Sequence, residues 1–394
     1  MCPVREESSV CDTVLIVGVG TVGAALFELL CRTALVDGRP GRAFLVDPGY
    51  VRPYHLGKSA IYDRSSVGRR KVDAAAAWAA RLCPELQVIA LSASIGEVGM
   101  GPAMAVGRAG FVFCAADTYR AKMVASRQAW RAGASLVIGE LSAVAPRLDG
   151  RYRYFVPGPQ APCLECNWQR QYAELDETHP CAPAPAARPR GPETRLSAAY
   201  RVAAAMLEQA QCLATAGPAS PLSEEIRMYP TARRTLTLLP RRNPACCFDH
   251  VTWTDVCRPS GSASAAVRLG DLLETRLSLR SRDRVQLELD RPLATGFACA
   301  SGHEWPGLGR PDSMVGRCPA CGEPGTPTNL TRHLTAEEVN ANRERTLVPD
   351  LLPAGDVLRV IRGAEAWRVA LPEPPEWRPA PATPAPGARP GGPL

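Results

Sequence analysis

Short apolar runs alternate with helix-length segments along residues 13–150. The apolar runs, each the length of one strand, are TVLIVG, RAFLVD, LQVIALSA, FVFCAAD and ASLVIGELSA. The segments between them, such as TVGAALFELLCRTAL and KVDAAAAWAARLCPEL, are rich in helix-forming alanine and leucine. Apolar strands that alternate with helices predict an α/β fold, with a mainly parallel sheet that carries helices on both faces.

The pattern changes after residue 150, where a strand-like segment, a cysteine pair and a Pro/Ala/Arg stretch precede one more helix and strand. From these shifts we expect a nucleotide-binding domain over 1–250, with a crossover loop at 167–193. A connecting α+β segment at 251–294 and a Cys/Gly-rich module at 295–325 should follow it. The last two expected units are an extension at 326–370 and a disordered Pro-rich tail at 371–394.

Composition narrows the class of protein. With 46% hydrophobic residues the chain can build cores, and no apolar run approaches the ~18 residues of a membrane span, so we expect a soluble, cytoplasmic protein without membrane contact. The formal charge of +7 comes from arginine spread along the chain without interleaved aromatics, which argues against a nucleic-acid partner. In such a protein, 15 cysteines indicate metal binding or thiol chemistry rather than disulfides.

A glycine-rich loop follows the first predicted strand. Gly18-x-Gly20-x-x-Gly23 opens the first helix, and Asp47 ends the second strand. Glycines permit a tight turn and close backbone approach, a helix N-terminus favours phosphate, and a carboxylate in this position takes ribose hydroxyls. The context predicts a nucleotide site; the alternative is a glycine turn used for packing. Taken alone, the loop also fits an NAD-dependent oxidoreductase.

Three further motifs lie downstream in the chain. They are Val51-x-x-x-His55-Leu56-Gly57-Lys58, Gly68-x-x-Lys71-Val72 and Cys114-x-x-Asp117. Together with the glycine loop and Asp47, they make residues 13–250 resemble the ThiF-type adenylyltransferases, whose fold is shared by ubiquitin-activating enzymes and by the enzymes that activate sulfur-carrier proteins.

The resemblance implies ATP-dependent adenylation of the carboxyl terminus of a small ubiquitin-like or sulfur-carrier protein, or of a peptide, by a homodimer. It implies that Lys71 holds phosphate oxygens, that Lys58 contacts the leaving phosphates and that Asp117 holds Mg²⁺. The chain has only three lysines, and Lys58 and Lys71 are two of them. The third, Lys122, is expected to form a structural pair on the helix after Asp117.

Four positions depart from the family pattern. Thr21 replaces glycine, Gly49 stands where a second acidic residue is common, His55 replaces asparagine, and Lys58 replaces an arginine that could form a bidentate fork. These departures keep open a non-catalytic scaffold that binds nucleotide or a partner. The oxidoreductase alternative would leave Lys71, Asp117 and the cysteine pairs without a role.

The first cysteine cluster begins with Cys163-x-x-Cys166, a spacing that lets two thiolates bind one tetrahedral ion. The resemblance implies a second pair after Arg-Asn-Pro, for which we expect Cys247 and His250, with Cys246 and Asp249 as the alternative. The expected role is a structural Zn²⁺, the competing interpretation being free buried thiols.

The second cluster comprises Cys299, His303, Cys318 and Cys321. The Cys-Pro-x-Cys-Gly segment is typical of a zinc knuckle, and a module this small needs a metal to fold, so we expect a zinc ribbon over residues 295–325. Its partner, protein or nucleic acid, is left open by the sequence.

Cys181 belongs to neither cluster. It lies beside His179 at the edge of the Pro/Ala segment, where family members that form a thioester or an acyl-disulfide place a cysteine. A nearby histidine and a mobile loop suit a reactive thiolate, so Cys181 is a candidate carrier nucleophile; the alternative is an incidental loop cysteine.

Overall fold

Within the residues that it describes, the computed structural model contains an eight-stranded sheet, a six-stranded sheet and a two-stranded sheet. The residues it describes are 12–33, 41–107, 110–141, 150–167, 196–216, 223–229, 233–253, 255–257, 267–310, 317–348, 350–374 and 377. None of the helices within these ranges is long and apolar enough to cross a membrane.

The first sheet has eight strands, five of which form its parallel part. Those five are β1 (Thr13–Val17), β2 (Arg42–Val46), β3 (Gln87–Leu91), β4 (Phe111–Cys114) and β5 (Ser135–Leu141). The helices between them are α1 (Thr21–Arg32), α2 (Lys71–Leu82), α3 (Ile95–Val98), α4 (Gly101–Val106) and α5 (Tyr119–Ala132). The predicted α/β class and mainly parallel sheet are confirmed.

Three antiparallel strands extend this sheet past β5. They are β6 (Gly150–Phe155), β7 (Glu224–Tyr229) and β8 (Arg234–Leu238), and α6 (Leu196–Ala216) lies between β6 and β7 in the chain. The strand order is β3-β2-β1-β4-β5-β6-β7-β8. Because β2 and β4 flank β1 on opposite sides, the chain reverses its winding beside β1, which is where ligands bind in open α/β sheets.

Alternating residues of the central strand enter two separate cores. Val14 and Ile16 of β1 pack in the core that includes α1 and α6, whereas Leu15 and Val17 pack in the core that includes α4 and α5. All five residues of β1 are buried, as expected for a parallel strand covered by helices on both faces.

The second sheet and its helices form the C-terminal half. Its elements are β9 (Val256–Cys257), β10 (Val267–Arg268), α7 (Leu269–Leu277), β11 (Gln286–Cys299), β12 (Glu304–Gly309), β13 (Gly325–Leu334), α8 (Ala336–Ala341), β14 (Thr346–Val348), β15 (Val357–Arg362) and β16 (Glu365–Ala370). The main sheet runs β12-β11-β15-β16-β9 with β13 also paired to β11, while β10 pairs with β14.

The expected division of this half into three segments differs from the structure. The long strand β11 pairs with β12 near the second cysteine cluster, with β15 at its other end and with β13 along most of its length. One leucine-rich core runs under strands from all three expected segments. The ribbon is therefore the end of a larger sheet, because β11 is long enough to serve both parts.

Two residues of the Pro-rich segment are buried in different cores, Leu371 in that of the C-terminal half and Trp377 in that of the first sheet. Leu371 is buried, and Trp377 packs its ring edge-on against Phe44 of β2 at 5.6 Å while its carbonyl accepts a hydrogen bond from Arg42. The expected disordered tail begins at residue 371, but Leu371 and Trp377 are buried in the structure. Residues 378–394 lie outside the described ranges.

Candidate active site and metal centres

The glycine loop joins β1 to α1 by a turn that needs two of its glycines for packing. Gly18 has a φ of +89°, and a Cβ there would lie 2.8 Å from the amide nitrogen of Ala116. A Cβ on Gly23 would lie 1.9 Å from the carbonyl oxygen of Gly18. Gly20 differs, because its Cβ would meet nothing within 4 Å. Gly20 precedes α1 directly, so the open space lies at a helix N-terminus, where an anion is favoured.

Asp47 ties the glycine loop to the end of β2. One of its carboxylate oxygens accepts from the Val19 amide at 2.7 Å and the other from the Gly49 amide at 2.7 Å. The ammonium of Lys71 lies 3.7 Å away. A Cβ on Gly49 would lie 2.9 Å from the Asp47 carboxylate and 3.2 Å from the Lys71 ammonium, so the glycine that departs from the family pattern leaves room for both groups.

Lys71 is a buried cation, only 4% exposed, and it is the first residue of α2. The positive end of a helix dipole disfavours a cation in the first turn, and burial removes its hydration. Its position therefore depends on nearby negative charge, which Asp47 supplies in this structure.

His55 and Tyr62 belong to the segment between β2 and α2 that covers this region. The Tyr62 hydroxyl donates to the Val19 carbonyl at 2.7 Å, and its ring lies 6.2 Å from that of His55. The pKa of His55 falls to about 4, chiefly through burial and then through the Lys71 and Lys58 charges. Its Nδ1 accepts from the Arg52 amide at 2.8 Å, so the neutral ring carries its proton on Nε2 and can donate there.

Asp117 follows β4 at the same edge of the sheet. Val17, Val46 and Cys114 are in register, so the glycine loop, Asp47 and Asp117 all leave the carboxyl ends of adjacent parallel strands. Asp117 is exposed, and no ion pair within the described residues involves it. Cys114 is fully buried and burial raises its pKa to about 11, which makes it a packing residue rather than a nucleophile.

The structure thus brings Gly18, Gly20, Gly23, Asp47, Lys58, Lys71 and Asp117 to one edge of the sheet. Lys58 is half-buried and lies close enough to His55 to lower its pKa. This edge of the sheet carries a helix N-terminus, two lysines and two carboxylates, which suits a polyphosphate ligand with a hard cation.

The first metal cluster gathers Cys163, Cys166, Cys246 and His250. The Sγ of Cys163 lies 3.9 Å from that of Cys166 and 3.7 Å from that of Cys246, while the Nε2 of His250 lies 3.2 Å from the Cys166 Sγ. Ligand atoms about 2.3 Å from a tetrahedral Zn²⁺ are separated by about 3.8 Å. The four donors therefore fit a closed zinc site.

Cys246 takes the place in this cluster that the sequence assigned to Cys247. The Cys247 thiol points instead to Glu165, 3.1 Å from its carboxylate. Glu165 lies between the two ligands of the first knuckle and is held by Arg127 through two 2.7 Å hydrogen bonds. Adjacent residues point in different directions, so only one of the two cysteines can face the other donors.

The chain leaving this cluster continues into the C-terminal half. Arg131 of α5 pairs with Asp249, and its guanidinium stacks on the rings of Phe248 and Trp253 at 4.7 Å and 5.0 Å. The Trp253 amide donates to the Arg131 carbonyl at 2.7 Å. From there the chain reaches β9, which pairs with β16 of the second sheet.

The second cluster contains the four residues expected from the sequence, Cys299, His303, Cys318 and Cys321. The Cys299 Sγ lies 3.4 Å from the Nδ1 of His303 and 3.6 Å from the Cys321 Sγ, again close to tetrahedral edges. Gly302 and Gly322 have φ values of +82° and +77°, which allows both knuckle turns.

Comparison with known proteins agrees with the residues gathered at the sheet edge. The ThiF family matches residues 9–246. The chain belongs to the ThiF family. Human ubiquitin-like modifier-activating enzyme 7 is 35% identical over 78 residues, which cover 20% of this chain and 8% of that enzyme.

Solved structures of other proteins are similar to the ThiF region at low identity. Escherichia coli MccB, solved with ATP, is 16% identical with a TM-score of 0.45, covering 60% of this chain and 66% of MccB. PaaA is 13% identical with a TM-score of 0.42, covering 59% of this chain and 64% of PaaA. The chain spans less than two thirds of the length of each of these relatives.

Some residues of the ThiF site had no signal in the sequence. Tyr62 and Glu140 lie outside every motif, and only the folded contacts bring them to the glycine loop and to Lys122. Lys122 pairs with Glu140, as expected of a structural lysine. Cys181 lies outside the described residues, as does nearly all of the predicted crossover loop.

Proposed function

We propose that this ThiF-family protein uses ATP to adenylate a carboxyl terminus, either that of a small ubiquitin-like or sulfur-carrier protein or that of a peptide. Family membership supports the reaction class, and the charged edge of the first sheet supports a polyphosphate substrate. The acceptor would be macromolecular, as the resemblance to enzymes that activate carrier proteins implies.

The observation that carries the proposal is Lys71. A buried lysine at the start of a helix is destabilised by the helix dipole and by lost hydration. A dinucleotide oxidoreductase, which needs the glycine loop and the acid after β2, has no use for such a cation. A transferred phosphoryl group does, since negative charge builds on its oxygens as the leaving group departs.

The remaining groups have complementary positions for ATP. The triphosphate would approach the open N-terminus of α1 at Gly20. Each Asp47 oxygen accepts one hydrogen bond from a backbone amide and keeps a second lone pair, which could accept from a ribose hydroxyl. Lys58 would contact the leaving phosphates. His55, neutral at physiological pH, would donate from Nε2 as an asparagine amide would.

In the proposed reaction, an oxygen of the acceptor carboxylate attacks the α-phosphorus of ATP. The new P–O bond replaces the bond to the bridging oxygen, so the products are an acyl-adenylate and pyrophosphate. Lys71 and Lys58 would stabilise the charge that moves to the phosphate oxygens. Asp117 would hold Mg²⁺, whose contribution is to neutralise phosphate charge.

The test is ATP–pyrophosphate exchange in the presence of candidate carboxyl-terminal acceptors. Asp117→Ala and Lys71→Ala should each lower exchange by about 10²–10³, the cost of losing one charge partner of the transition state. Arg120→Ala removes an exposed charge three residues from Asp117 and serves as the matched control. Full exchange in both site variants would refute the assignment.

We further propose two routes for the acyl-adenylate, each of which breaks the acyl–phosphate bond and releases AMP: attack by the Cys181 thiolate to form a thioester, or attack by a separate sulfur nucleophile. Cys181→Ser should keep pyrophosphate exchange on either route. On the first route it should lose a covalent, thiol-sensitive complex with the acceptor, because serine is barely ionised at neutral pH. If wild type forms no such complex, the carrier role is wrong.

Both metal clusters are proposed to hold structural Zn²⁺. The donors are thiolates and imidazoles, the ligands that zinc prefers, and each set of four donors leaves no open position for catalysis. At the first cluster the ion would join the segment after β6 to the chain that enters the C-terminal half.

A further inference from the structure

Glu140 lies beside the proposed magnesium residue, on the neighbouring strand. β4 and β5 are parallel with Cys114 opposite Ile138, so Glu140, two residues beyond Ile138, is level with the turn that carries Asp117. Its side chain is 10% exposed. No sequence motif includes it, and it touches neither the glycine loop nor Lys71 in the described contacts.

Three cations surround this carboxylate. Lys122 of α5 and Arg151 of β6 contact it directly, and the Nη2 of Arg153 donates to it at 2.9 Å. Burial alone would raise the pKa of Glu140, but Arg153, Lys122 and Arg151 together lower it to about 2. Glu140 is therefore charged throughout the physiological range and is the counter-charge that holds the three cations together.

One of these cations reaches the turn after β4. The Lys122 ammonium donates to the Asp117 carbonyl at 3.3 Å while it pairs with Glu140. The turn has a second support at Thr118, whose hydroxyl caps α5 by accepting from the Ala121 amide at 3.2 Å. The path from Glu140 through Lys122 to Asp117 thus consists of two direct contacts.

We propose that Glu140 is a positioning residue for magnesium-bound ATP: it fixes Lys122, and Lys122 fixes the backbone of Asp117. This inference rests on the proposed function only in that Asp117 binds the metal of a nucleotide complex. Without the Glu140 charge, Lys122, Arg151 and Arg153 repel one another, and the ammonium moves away from the Asp117 carbonyl.

The test measures how ATP affinity depends on Mg²⁺, by calorimetry with the full-length protein at several MgCl₂ concentrations. Glu140→Gln keeps the size of the side chain and removes its charge. We expect its dissociation constant for ATP to rise about tenfold in saturating Mg²⁺, the usual effect of removing a group that orients a metal ligand, and to match wild type when EDTA is present.

The matched control is Glu225→Gln. Glu225 lies on the same face of the sheet and pairs with Arg151 at 3.6 Å and Arg227 at 2.7 Å, but no contact links it to Lys122. A purely structural role for these charges would lower the melting temperature of both variants and leave the Mg²⁺ dependence of both like wild type. That result would overturn the proposal.

Lys122→Met provides a second, independent arm, including for the case in which Glu140→Gln does not fold. It should show the same loss in Mg²⁺, and the double variant should show no further loss, because both residues act through one contact. Losses that multiply in the double variant would refute the path through Lys122.

The two proposals fail differently. A wild-type protein that binds ATP with Mg²⁺ but exchanges no pyrophosphate with any acceptor refutes adenylation and leaves this test intact. A wild-type protein whose ATP affinity is indifferent to Mg²⁺ refutes the positioning role whether or not exchange occurs.

Discussion

Two glycines of one loop should respond in opposite ways to the same substitution. A Cβ on Gly23 would lie 1.9 Å from the Gly18 carbonyl oxygen, whereas real Cβ contacts essentially never fall below 3.0 Å. The Gly18 backbone is constrained, because its amide donates a hydrogen bond to the Val46 carbonyl at 2.8 Å. Gly23→Ala can therefore be accommodated only if the backbone of α1 moves away from that of β1. Rotation of a side chain cannot relieve a contact with a backbone oxygen.

The expected cost of Gly23→Ala is about 3 kcal/mol of unfolding free energy or more, at the upper end of overpacking effects. At roughly 2–4 °C per kcal/mol for a domain of this size, the melting temperature should fall by roughly 6–12 °C. Gly20 has φ −80° and ψ −155°, which alanine can adopt, so Gly20→Ala should change stability by no more than about 1 kcal/mol.

Gly20→Ala should instead weaken ATP binding. Its methyl group would enter the open space at the N-terminus of α1 and keep phosphate oxygens from the amides there. Loss of one charge-assisted hydrogen bond costs about 1.5–3 kcal/mol, which is roughly tenfold in affinity or more. Thermal unfolding and calorimetry with ATP measure the two effects separately. Wild-type affinity in a folded Gly20→Ala protein, or wild-type stability in Gly23→Ala, would refute the reasoning.

Two further predictions concern metal content and acid stability. Elemental analysis should find about two zinc ions per chain in wild type and in Cys247→Ser, but about one in Cys246→Ser. The reverse result would show that Cys247, and not Cys246, faces the other donors. Because the folded pKa of Glu140 lies below its usual 4.5, at about 2, its charge stabilises the protein above pH 4.5, and this stabilisation is lost as the pH falls toward 2. Urea unfolding should show wild type more stable than Glu140→Gln by about 3 kcal/mol at pH 7, with the difference shrinking below pH 4.5; a difference that is constant with pH would contradict this.

The sequence predicted the parts of the site that depend on local pattern. The glycine loop, Asp47, Lys71 and Asp117 each follow or precede a strand or helix that periodicity reveals, and parallel strands bring their carboxyl ends to one edge. The second cysteine cluster was predictable for the same reason, since its ligands form two compact knuckles.

What the sequence could not decide depends on side-chain direction and on long-range contacts. Spacing cannot distinguish Cys246 from Cys247, because the two are adjacent and only the folded backbone decides which thiol faces the other donors. The Pro-rich composition after residue 370 hid Trp377, whose partner Phe44 is more than 300 residues away. Glu140 likewise acquires its role only from three cations on two other elements.

The boundary of the family match does not coincide with a boundary of the folded protein. The match ends at residue 246, between two ligands of the first metal cluster, and it omits His250, which supplies the fourth donor. It also omits Trp377, which covers Phe44 of the first sheet, and Asp356, which accepts from the Met100 amide at 3.0 Å. The C-terminal half therefore supplies part of the interior of the ThiF region, so neither half could be exchanged for a homologous piece without rebuilding the surface that it shares with the other.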